Sequence, residues 1–442
     1  MPKKSIRREK KLHQKIHHHI IKNPLLSISL LILLIVGGVV ATQVFAAKPV
    51  PPTGQFEAIS VNNNGELSNN GTNDPFHMTK DARFFVFESN SSNLDPNDTN
   101  NAPDLFLKDR VNGTTELVSI LPDGTQPINN VGRGSISDDG QFVIFSTGGN
   151  IYIRNLIDQT TQSLLSGSDL NFQNMSPDSR YIIYRTRTGA DVDCSLFDRQ
   201  TSIAENISIG INGEQGNNDV HDCGNITDDG RYVVFSSGAS NLVPNDTNNT
   251  SDVFIRDRVT STTTFAFPSL GHTEGGQAFP YITNDGRFIV FYSGSSNLVS
   301  GDTNSTSDVF LIDRQLSTIE RVSITNNEGE TTFSEPSTHG YVTDDGRYVA
   351  FISQSPNLNP YREALFSAYL RDRTLGTTEL IAQNPFCKAV MGVADVPHVS
   401  SDGRYVAFFT GDSAVSIDNN ELGDIYLRDR TIPFGRLPKR CN

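Results

Sequence analysis

Several features are scarce or missing in this sequence of 442 residues. It has no tryptophan and only four cysteines, and no helix-length apolar pattern occurs beyond its N-terminal region. Gly-x-Ser-x-Gly and His-Glu-x-x-His are both absent, so the usual signatures of a hydrolase nucleophile and of a zinc peptidase are missing. Glycine (35 residues) and proline (21 residues) are abundant instead. This profile favours an all-β fold.

Charge is divided unevenly along the chain. Residues 1–22 carry a net charge of +7, whereas the whole chain carries −14, so the remainder is strongly acidic. Lys and Arg are retained on the cytoplasmic side of a membrane segment, and the uncharged apolar residues 24–47 are long enough to span a bilayer. An acidic body also argues against nucleic acid as a partner, because phosphates need Lys and Arg.

These segments predict the domain organisation. Residues 1–23 form a basic cytoplasmic segment, residues 24–47 a transmembrane anchor or a signal peptide, residues 48–55 a stiff linker and residues 56–442 the folded domain. A retained anchor gives a single-pass membrane protein with the folded domain outside the cytoplasm, and cleavage near Ala46 gives a secreted one. Both alternatives place the domain outside the cytoplasm.

A ten-residue pattern occurs seven times and organises residues 56–442. In most copies an Asp-Gly pair is followed by an aromatic residue and an apolar run, which predicts a tight two-residue hairpin between two strands. The steps between copies range from 39 to 60 residues and suit four-stranded blades of a β-propeller. The copies are Met78–Phe87, Ile136–Phe145, Met175–Tyr184, Ile226–Phe235, Ile282–Phe291, Val342–Phe351 and Val399–Phe408.

The two ends of the domain indicate how the ring closes. The seventh unit stops after Asp429-Arg430 without a fourth strand, and the segment Phe56–Val61 resembles the fourth strands of other units. Pairing the first strand with the last three leaves no open sheet edge. The sequence therefore predicts a seven-bladed β-propeller closed by Phe56–Val61.

The repeated motifs also resemble a known family. Copies of Ser/Thr-x-Asp-Gly-Arg-Tyr-Val-x-Phe and loops such as Ser-Asn-Leu-Val-Pro-Asn-Asp-Thr-Asn are similar to those of the TolB-like, WD-repeat-related propellers, over residues 56–430. The resemblance implies a periplasmic or surface-exposed interaction scaffold. The α/β domain that accompanies the propeller in TolB has no counterpart before Phe56, so a role in the Tol system is not implied.

Three blades share an acidic loop between their second and third strands. Oxygen ligands at positions i, i+2 and i+6 suit a hard cation such as Ca²⁺, the one cofactor that the sequence suggests. The alternative is that these side chains cap their own turns, because each set is short of ligands for a complete calcium site. The three sets are Asp98, Asn100 and Asp104; Asp246, Asn248 and Asp252; and Asp302, Asn304 and Asp308.

Four residues are expected at the mouth of the central channel. His77, Tyr281, Tyr341 and His398 each stand four residues before the Asp of the hairpin turn, on the innermost strand of a blade. They form either a polar pocket or a hydrogen-bonded filling of the channel, since two histidines without a third ligand make a poor metal site.

The four cysteines suggest two disulfides in an exported protein. Their spacing favours Cys194 with Cys223 and Cys387 with Cys441, and free buried thiols are the alternative.

No catalytic constellation is recognised, so the leading expectation is a protein that is not an enzyme. It would be an extracytoplasmic scaffold that binds an envelope or surface protein, or a glycan, through one propeller face. The alternative is a polysaccharide lyase or hydrolase that uses the channel mouth, with the histidines and tyrosines as acid and base candidates.

Overall fold

The structure is a computed structural model of the full chain. It describes residues 56–189, 191–248, 250–267, 279–331, 336–358, 366–382, 397–411, 418, 420 and 422–432. The predicted cytoplasmic, membrane and linker segments lie outside these residues. Within the described ranges, no helix is long and apolar enough to cross a membrane.

The described residues form 28 strands in seven antiparallel four-stranded sheets, which are the predicted seven blades. Blades 1 to 4 are β2 (Thr72–Met78), β3 (Phe84–Ser89), β4 (Asp104–Asp109) and β5 (Thr114–Leu117); β6 (Val131–Ile136), β7 (Phe142–Thr147), β8 (Asn150–Asn155) and β9 (Thr160–Leu165); β10 (Asn171–Met175), β11 (Tyr181–Thr188), β12 (Asp191–Asp198) and β13 (Ile203–Asn206); and β14 (Val220–Ile226), β15 (Tyr232–Ser237), β16 (Asp252–Asp257) and β17 (Thr262–Phe265). Blades 5 to 7 are β18 (Tyr281–Ile282), β19 (Phe288–Ser293), β20 (Asp308–Asp313) and β21 (Thr318–Arg321); β22 (Ser337–Val342), β23 (Tyr348–Ser353), β24 (Ser367–Asp372) and β25 (Thr377–Leu380); and β26 (His398–Val399), β27 (Tyr405–Thr410), β28 (Asp424–Asp429) and β1 (Phe56–Ala58).

The ring closes as the sequence predicts. Strand β1 pairs with β28, with Phe56 opposite Arg428 and Ala58 opposite Tyr426. The strand is shorter than the predicted Phe56–Val61, because the chain turns after Ile59: the Val61 amide donates to the Ile59 carbonyl at 2.8 Å. The first and last parts of the propeller are therefore held in one sheet.

The second strand of each blade is apolar on both faces because the sheets are stacked side by side. In β15, Val233, Val234 and Phe235 are all fully buried. Val233 and Phe235 pack in a cluster with residues of blade 3, whereas Val234 packs in a cluster with residues of blade 5. Neighbouring blades thus share their cores, which explains why these strands lack a polar face.

The hairpin between the first two strands is longer than the predicted two-residue turn. The Thr283 amide donates to the Phe288 carbonyl at 2.9 Å and the Gly286 amide to the Thr283 carbonyl at 2.8 Å, which leaves a four-residue loop. Gly286 has a φ of +74° and Asp285 accepts a hydrogen bond from the Thr283 hydroxyl at 2.6 Å. A loop of this length is usually built around a type I turn, and the Asp-Gly pair supplies its side-chain cap and its left-handed residue.

In six of the seven blades, an arginine directly after the hairpin turn holds the blade together. Arg287 forms a two-armed ion pair with Asp313, with Nη2 to Oδ2 at 2.7 Å, and Asp313 also accepts the backbone amides of the following turn. Blade 2 has the neutral pair Gln141 and Asn155 at these positions. The other five ion pairs are Arg83–Asp109, Arg180–Asp198, Arg231–Asp257, Arg347–Asp372 and Arg404–Asp429.

The arginine of the Asp-Arg motif joins neighbouring blades. Arg314 donates to the Gly286 carbonyl at 2.5 Å within its own blade, and its guanidinium lies 4.1 Å from the centre of the Tyr232 ring in the preceding blade. Arg430 stacks in the same way on Tyr348 and pairs with a glutamate of the preceding blade. The most prominent sequence motifs therefore serve the fold, and the functional site has to be sought elsewhere.

Candidate functional site

The central channel contains a cavity of about 350 Å³. All innermost strands run in one direction, so their first residues reach one face of the propeller, which we call the loop face. Their last residues lead into the Asp-Gly hairpins at the opposite turn face. Residues from both ends line the cavity, including Arg133, Asp222 and His339 near the loop face and Lys80 and Asp138 near the turn face. Its size suits a small ligand.

One side of the channel is an aromatic wall made of His77, Tyr281, Tyr341 and His398. The ring centres of Tyr281 and Tyr341 are 4.4 Å apart, those of Tyr341 and His398 are 4.9 Å apart, and those of His398 and His77 are 6.0 Å apart. The structure thus brings together the four residues that the sequence placed at the channel. They belong to the consecutive blades 5, 6, 7 and 1, which makes the wall continuous.

The aromatic wall resists ionisation. Burial, together with the nearby His398, lowers the pKa of His77 to about 3, so this imidazole is neutral at physiological pH. Its Nδ1 faces the Ile136 amide at 3.4 Å. Burial also raises the pKa values of Tyr281 and Tyr341, whose hydroxyls are 3.2 Å apart. This arrangement suits His77 and the two tyrosines to ligand contact better than to proton transfer.

The facing side of the channel carries small and amide side chains. Ser135, Asn174 and Asn225 occupy the equivalent positions in blades 2, 3 and 4. Asn225 is already engaged, because its Nδ2 donates to the Ile282 carbonyl and its Oδ1 accepts the Ile282 amide, both at 2.7 Å. The buried Ser135 hydroxyl has no hydrogen-bond partner among the described residues. Small side chains on this side leave room beside the aromatic wall.

Asp222 is the acidic group of the cavity near the loop face, and the sequence interpretation missed it. Burial raises its pKa to about 6, against the opposing effect of the positive charges of Arg133 and Arg185. The Asp222 side chain is 9% exposed. Strand β14 is irregular around it, with register shifts between Val220 and Asp222 and again between Cys223 and Ile226. An aspartate on the innermost strand β14 was the available signal.

The three acidic loops lie on the loop face, each within its own blade. In blades 4 and 5 the asparagine amide donates to the last aspartate of its set, Asn248 to Asp252 at 2.9 Å and Asn304 to Asp308 at 2.8 Å. Those two asparagines act as the turn-capping alternative requires.

In blade 5 the position between the two aspartates is taken. Arg321 Nη1 lies 3.2 Å from Asp302 Oδ1 and 3.3 Å from Asp308 Oδ2, and 3.0 Å from Glu330 Oε1. A guanidinium therefore lies between Asp302 and Asp308, where the sequence predicted a calcium ion, and the calcium site of this loop stays a prediction.

Blade 7 contains a fourth loop of this kind. Asp418, Asn420 and Asp424 have the same spacing, and Asn420 Nδ2 donates to Asp424 Oδ2 at 3.1 Å. The residues around this set differ from those of the other three loops, so the sequence pattern alone did not reveal it.

One of the two expected disulfides lies in the described residues. Cys194 on β12 is bonded to Cys223 on β14, with their Cα atoms 5.7 Å apart. The bond joins blades 3 and 4 next to Asp222. Cys387 and Cys441 lie outside the described residues.

No protein-family model matches the chain, and no curated protein matches its sequence. Solved structures do share its fold. An oligogalacturonate lyase from Vibrio parahaemolyticus is 12% identical, with 88% of this chain and 98% of the lyase covered and a TM-score of 0.55. The β-propeller domain of the Trilobed protease from Pyrococcus furiosus is 12% identical, with 82% and 96% covered and a TM-score of 0.52. TolB from Acinetobacter baumannii is 15% identical, with 74% and 76% covered and a TM-score of 0.41.

These likenesses show the fold alone. The seven-bladed propeller is confirmed. The expectation that the protein is not an enzyme is contradicted, because the solved structures that share this fold include an enzyme over most of both chains. The coarser expectation of a propeller scaffold stands.

Proposed function

We propose that the protein is an extracytoplasmic propeller that binds an acidic glycan of the envelope or cell surface in its channel and cleaves it as a lyase. The observation that carries the proposal is that Asp222 and Arg133 line the same cavity, which also has an aromatic wall. The sequence left a protein or a glycan as the ligand. A glycan is favoured because the cavity is a concave channel, whereas protein partners are usually bound over larger surfaces.

Each part of the cavity has a role in this proposal. The aromatic wall offers flat, uncharged faces against which the apolar face of a sugar ring packs. Arg133 offers a guanidinium, which matches a carboxylate in charge and geometry. Asp222 offers a carboxylate with a pKa of about 6, which is close to the pH at which a general base works best.

The carboxylate count favours a lyase over a hydrolase. Glycoside hydrolases commonly need two carboxyl groups about 5 to 9.5 Å apart. Among the described residues that line the cavity, Asp222 and Asp138 are the carboxylates. Asp138 follows the end of an innermost strand, and Asp222 lies near the start of another. Along the channel axis the two carboxylates are therefore roughly 15 to 20 Å apart, which is farther than a hydrolase pair requires.

Elimination needs one base and one cation. In a uronate, Asp222 would accept the C5 proton, whose acidity the adjacent carboxylate increases when Arg133 binds it. The C5–H electron pair then forms the C4–C5 double bond as the C4–O4 bond breaks, and O4 leaves with a proton from water. Arg133 would increase the rate because it stabilises the negative charge that develops on the substrate carboxylate as the C5 proton leaves.

The disulfide supports the location in this proposal. Disulfides persist in oxidising compartments outside the cytoplasm, and Cys194 and Cys223 form one. The basic segment 1–23 would remain in the cytoplasm, with residues 24–47 as an anchor or a cleaved signal.

The test is turnover of a panel of uronate oligosaccharides. Elimination creates a conjugated double bond, so the product is followed by ultraviolet absorbance and identified by mass spectrometry. We expect turnover of at least one uronate by the wild type, and a loss of about 100-fold or more in the rate for Asp222→Asn, since a positioned base contributes roughly that factor.

Two comparisons make the test specific. Arg133→Gln should raise KM and lower kcat, whereas Asp158→Asn, on the exposed turn after β8, should behave as the wild type. Saturated products would indicate hydrolysis instead of elimination. Unchanged turnover by Asp222→Asn would remove this residue from the mechanism.

A further inference from the structure

In five of the seven blades, a buried aspartate stands five residues before the aspartate that ends the third strand. These residues are Asp104, Asp193, Asp252, Asp308 and Asp424. In blades 1, 3, 5 and 7 its Oδ1 accepts a hydrogen bond from a serine of the following strand or loop, as Asp308 does from Ser323 at 2.6 Å. The blades differ at its second oxygen, Oδ2.

In four of these blades another side chain binds Oδ2. Gln215 donates to Asp193 at 2.7 Å, and an asparagine donates to Asp252, Asp308 and Asp424 at 2.8 to 3.1 Å. In blade 5 the guanidinium of Arg321 adds a positive charge. The second carboxylate oxygen thus has a hydrogen-bond partner in these four blades. This is expected because burying a charge without a partner costs free energy.

Blade 1 is the exception. Asp104 is fully buried, and its Oδ2 has no hydrogen-bond partner among the residues that the structure describes. Asp98 is only partly buried, and the Asn100 backbone amide interacts with its carboxyl group, but its Oδ1 atom is buried and likewise lacks a hydrogen-bond partner within the described ranges. Asn100 corresponds to the asparagines that bind Oδ2 in blades 4, 5 and 7, but its Nδ2 donates to the Pro127 carbonyl at 2.9 Å. The Asn100 side chain still lies close enough to Asp104 to oppose the rise of its pKa.

In blade 5 a positively charged group lies between the two atoms that correspond to Asp98 Oδ1 and Asp104 Oδ2. Arg321 Nη1 contacts Asp302 Oδ1 and Asp308 Oδ2, which are the same two atoms in the repeat. Arg321 stands opposite Phe310 in the β20–β21 register, and Leu117 stands opposite Phe106 in the equivalent β4–β5 register. Blade 1 therefore has a leucine where blade 5 has the cation.

The local charge of blade 1 is also uncompensated. Asp95, which replaces a valine of blades 4 and 5, lies close enough to Asp98 to raise its pKa, although burial is the main cause of that rise. Burial raises the pKa of Asp104 to about 6. Within the described residues, none of these three aspartates forms an ion pair with Lys or Arg.

We propose that the blade 1 loop binds one Ca²⁺ ion between Asp98 Oδ1 and Asp104 Oδ2, in the place that the Arg321 guanidinium takes in blade 5. Carboxylate oxygens in a loop are the ligands that this hard cation prefers, and its remaining positions are filled by carbonyl oxygens or water. The site is separate from the channel, and its function does not depend on the proposed lyase reaction.

The test introduces an arginine into blade 1 and removes the corresponding arginine from blade 5. Calcium binding to the full-length protein in detergent is measured by titration calorimetry, and thermal unfolding is recorded with Ca²⁺ and with chelator. We expect the wild type to bind Ca²⁺ and to melt at a lower temperature in chelator. Asp104→Asn should lose the binding, and Leu117→Arg should lose both the binding and the effect of chelator.

The reverse exchange keeps the proposal testable if Leu117→Arg does not fold. Arg321→Leu removes the guanidinium from blade 5 and should create a second binding event with a larger effect of chelator. Mg²⁺ is the control ion, because its strict octahedral geometry suits such a loop poorly. Absence of wild-type binding at millimolar Ca²⁺, or unchanged binding by Asp104→Asn, would overturn the proposal.

Discussion

Replacing Asp222 by asparagine should change how the stability of the protein depends on pH. Burial raises the pKa of Asp222 to about 6 in the folded state, against about 3.9 in an unfolded chain. The difference is about 2 pKa units, which corresponds to about 3 kcal/mol at pH values above both. Asparagine has the shape of the protonated acid and carries no charge, so it removes this penalty.

The sign follows from proton binding. A carboxyl group with a raised folded-state pKa binds its proton more tightly in the folded protein, so its contribution is favourable at low pH and is lost as pH rises from about 4 to about 6. The Asp222→Asn variant should therefore match the wild type near pH 4 and exceed it by up to about 3 kcal/mol near pH 8.

The assay is denaturant unfolding of both proteins at a series of pH values, followed by tryptophan-independent probes such as far-ultraviolet circular dichroism, since the chain has no tryptophan. Only the difference between variant and wild type is used, which cancels the other titrating groups. Asp158→Asn serves as the matched exposed control and should show no such pH dependence. A difference between Asp222→Asn and the wild type that stays constant from pH 4 to pH 8 would refute the reasoning.

Three further predictions concern the fold. Reduction of the Cys194–Cys223 disulfide should lower the free energy of unfolding by about 3 to 4 kcal/mol, given the 29-residue separation, and thermal unfolding with and without reductant measures it; no change would mean that the bond is absent in solution. Gly65→Ala should cost about 1 to 2 kcal/mol from its φ of +82° alone, whereas Gly346→Ala should cost a further 1 to 3 kcal/mol because its new methyl meets an aromatic ring of the preceding blade; equal costs in denaturant unfolding would contradict this. Asp313→Ala should cost about 1 to 3 kcal/mol, since it removes an ion pair and leaves turn amides without their acceptor; a stability like that of the wild type would show that the ion pair is dispensable.

The number of blades and their closure could be predicted from the sequence because they follow from self-similarity. Each copy of the motif must form the same hairpin, and one missing strand at the C-terminus matches one additional strand at Phe56. The length of the hairpin could not be predicted as reliably, because Asp-Gly suits both two-residue and four-residue loops and the choice depends on which backbone groups pair, here Thr283 with Phe288.

The candidate site could be predicted only in part, since it depends on groups that meet across blades. His77, Tyr281, Tyr341 and His398 occupy one repeat position, so their convergence in the channel follows from the repeat. Asp222 lies outside that position on an irregular strand, and its raised pKa depends on burial that the sequence does not display.

Cation binding by the acidic loops could likewise be predicted only in part from the sequence. Their spacing indicated cation ligands, but the occupant in blade 5 comes from the fourth strand, where Arg321 replaces the leucine found in blade 1. Whether such a loop takes a metal ion depends on this distant position as much as on the loop itself.

The central claim is that the channel is the ligand site. The most direct measurement is a crystal structure of the Asp222→Asn variant with a uronate oligosaccharide, because loss of the base should leave the ligand intact. We expect a sugar ring in the cavity, packed on Tyr281 and Tyr341, with its carboxylate on Arg133 and its C5 facing residue 222. A ligand bound elsewhere on the propeller, with the channel filled by water alone, would contradict the account.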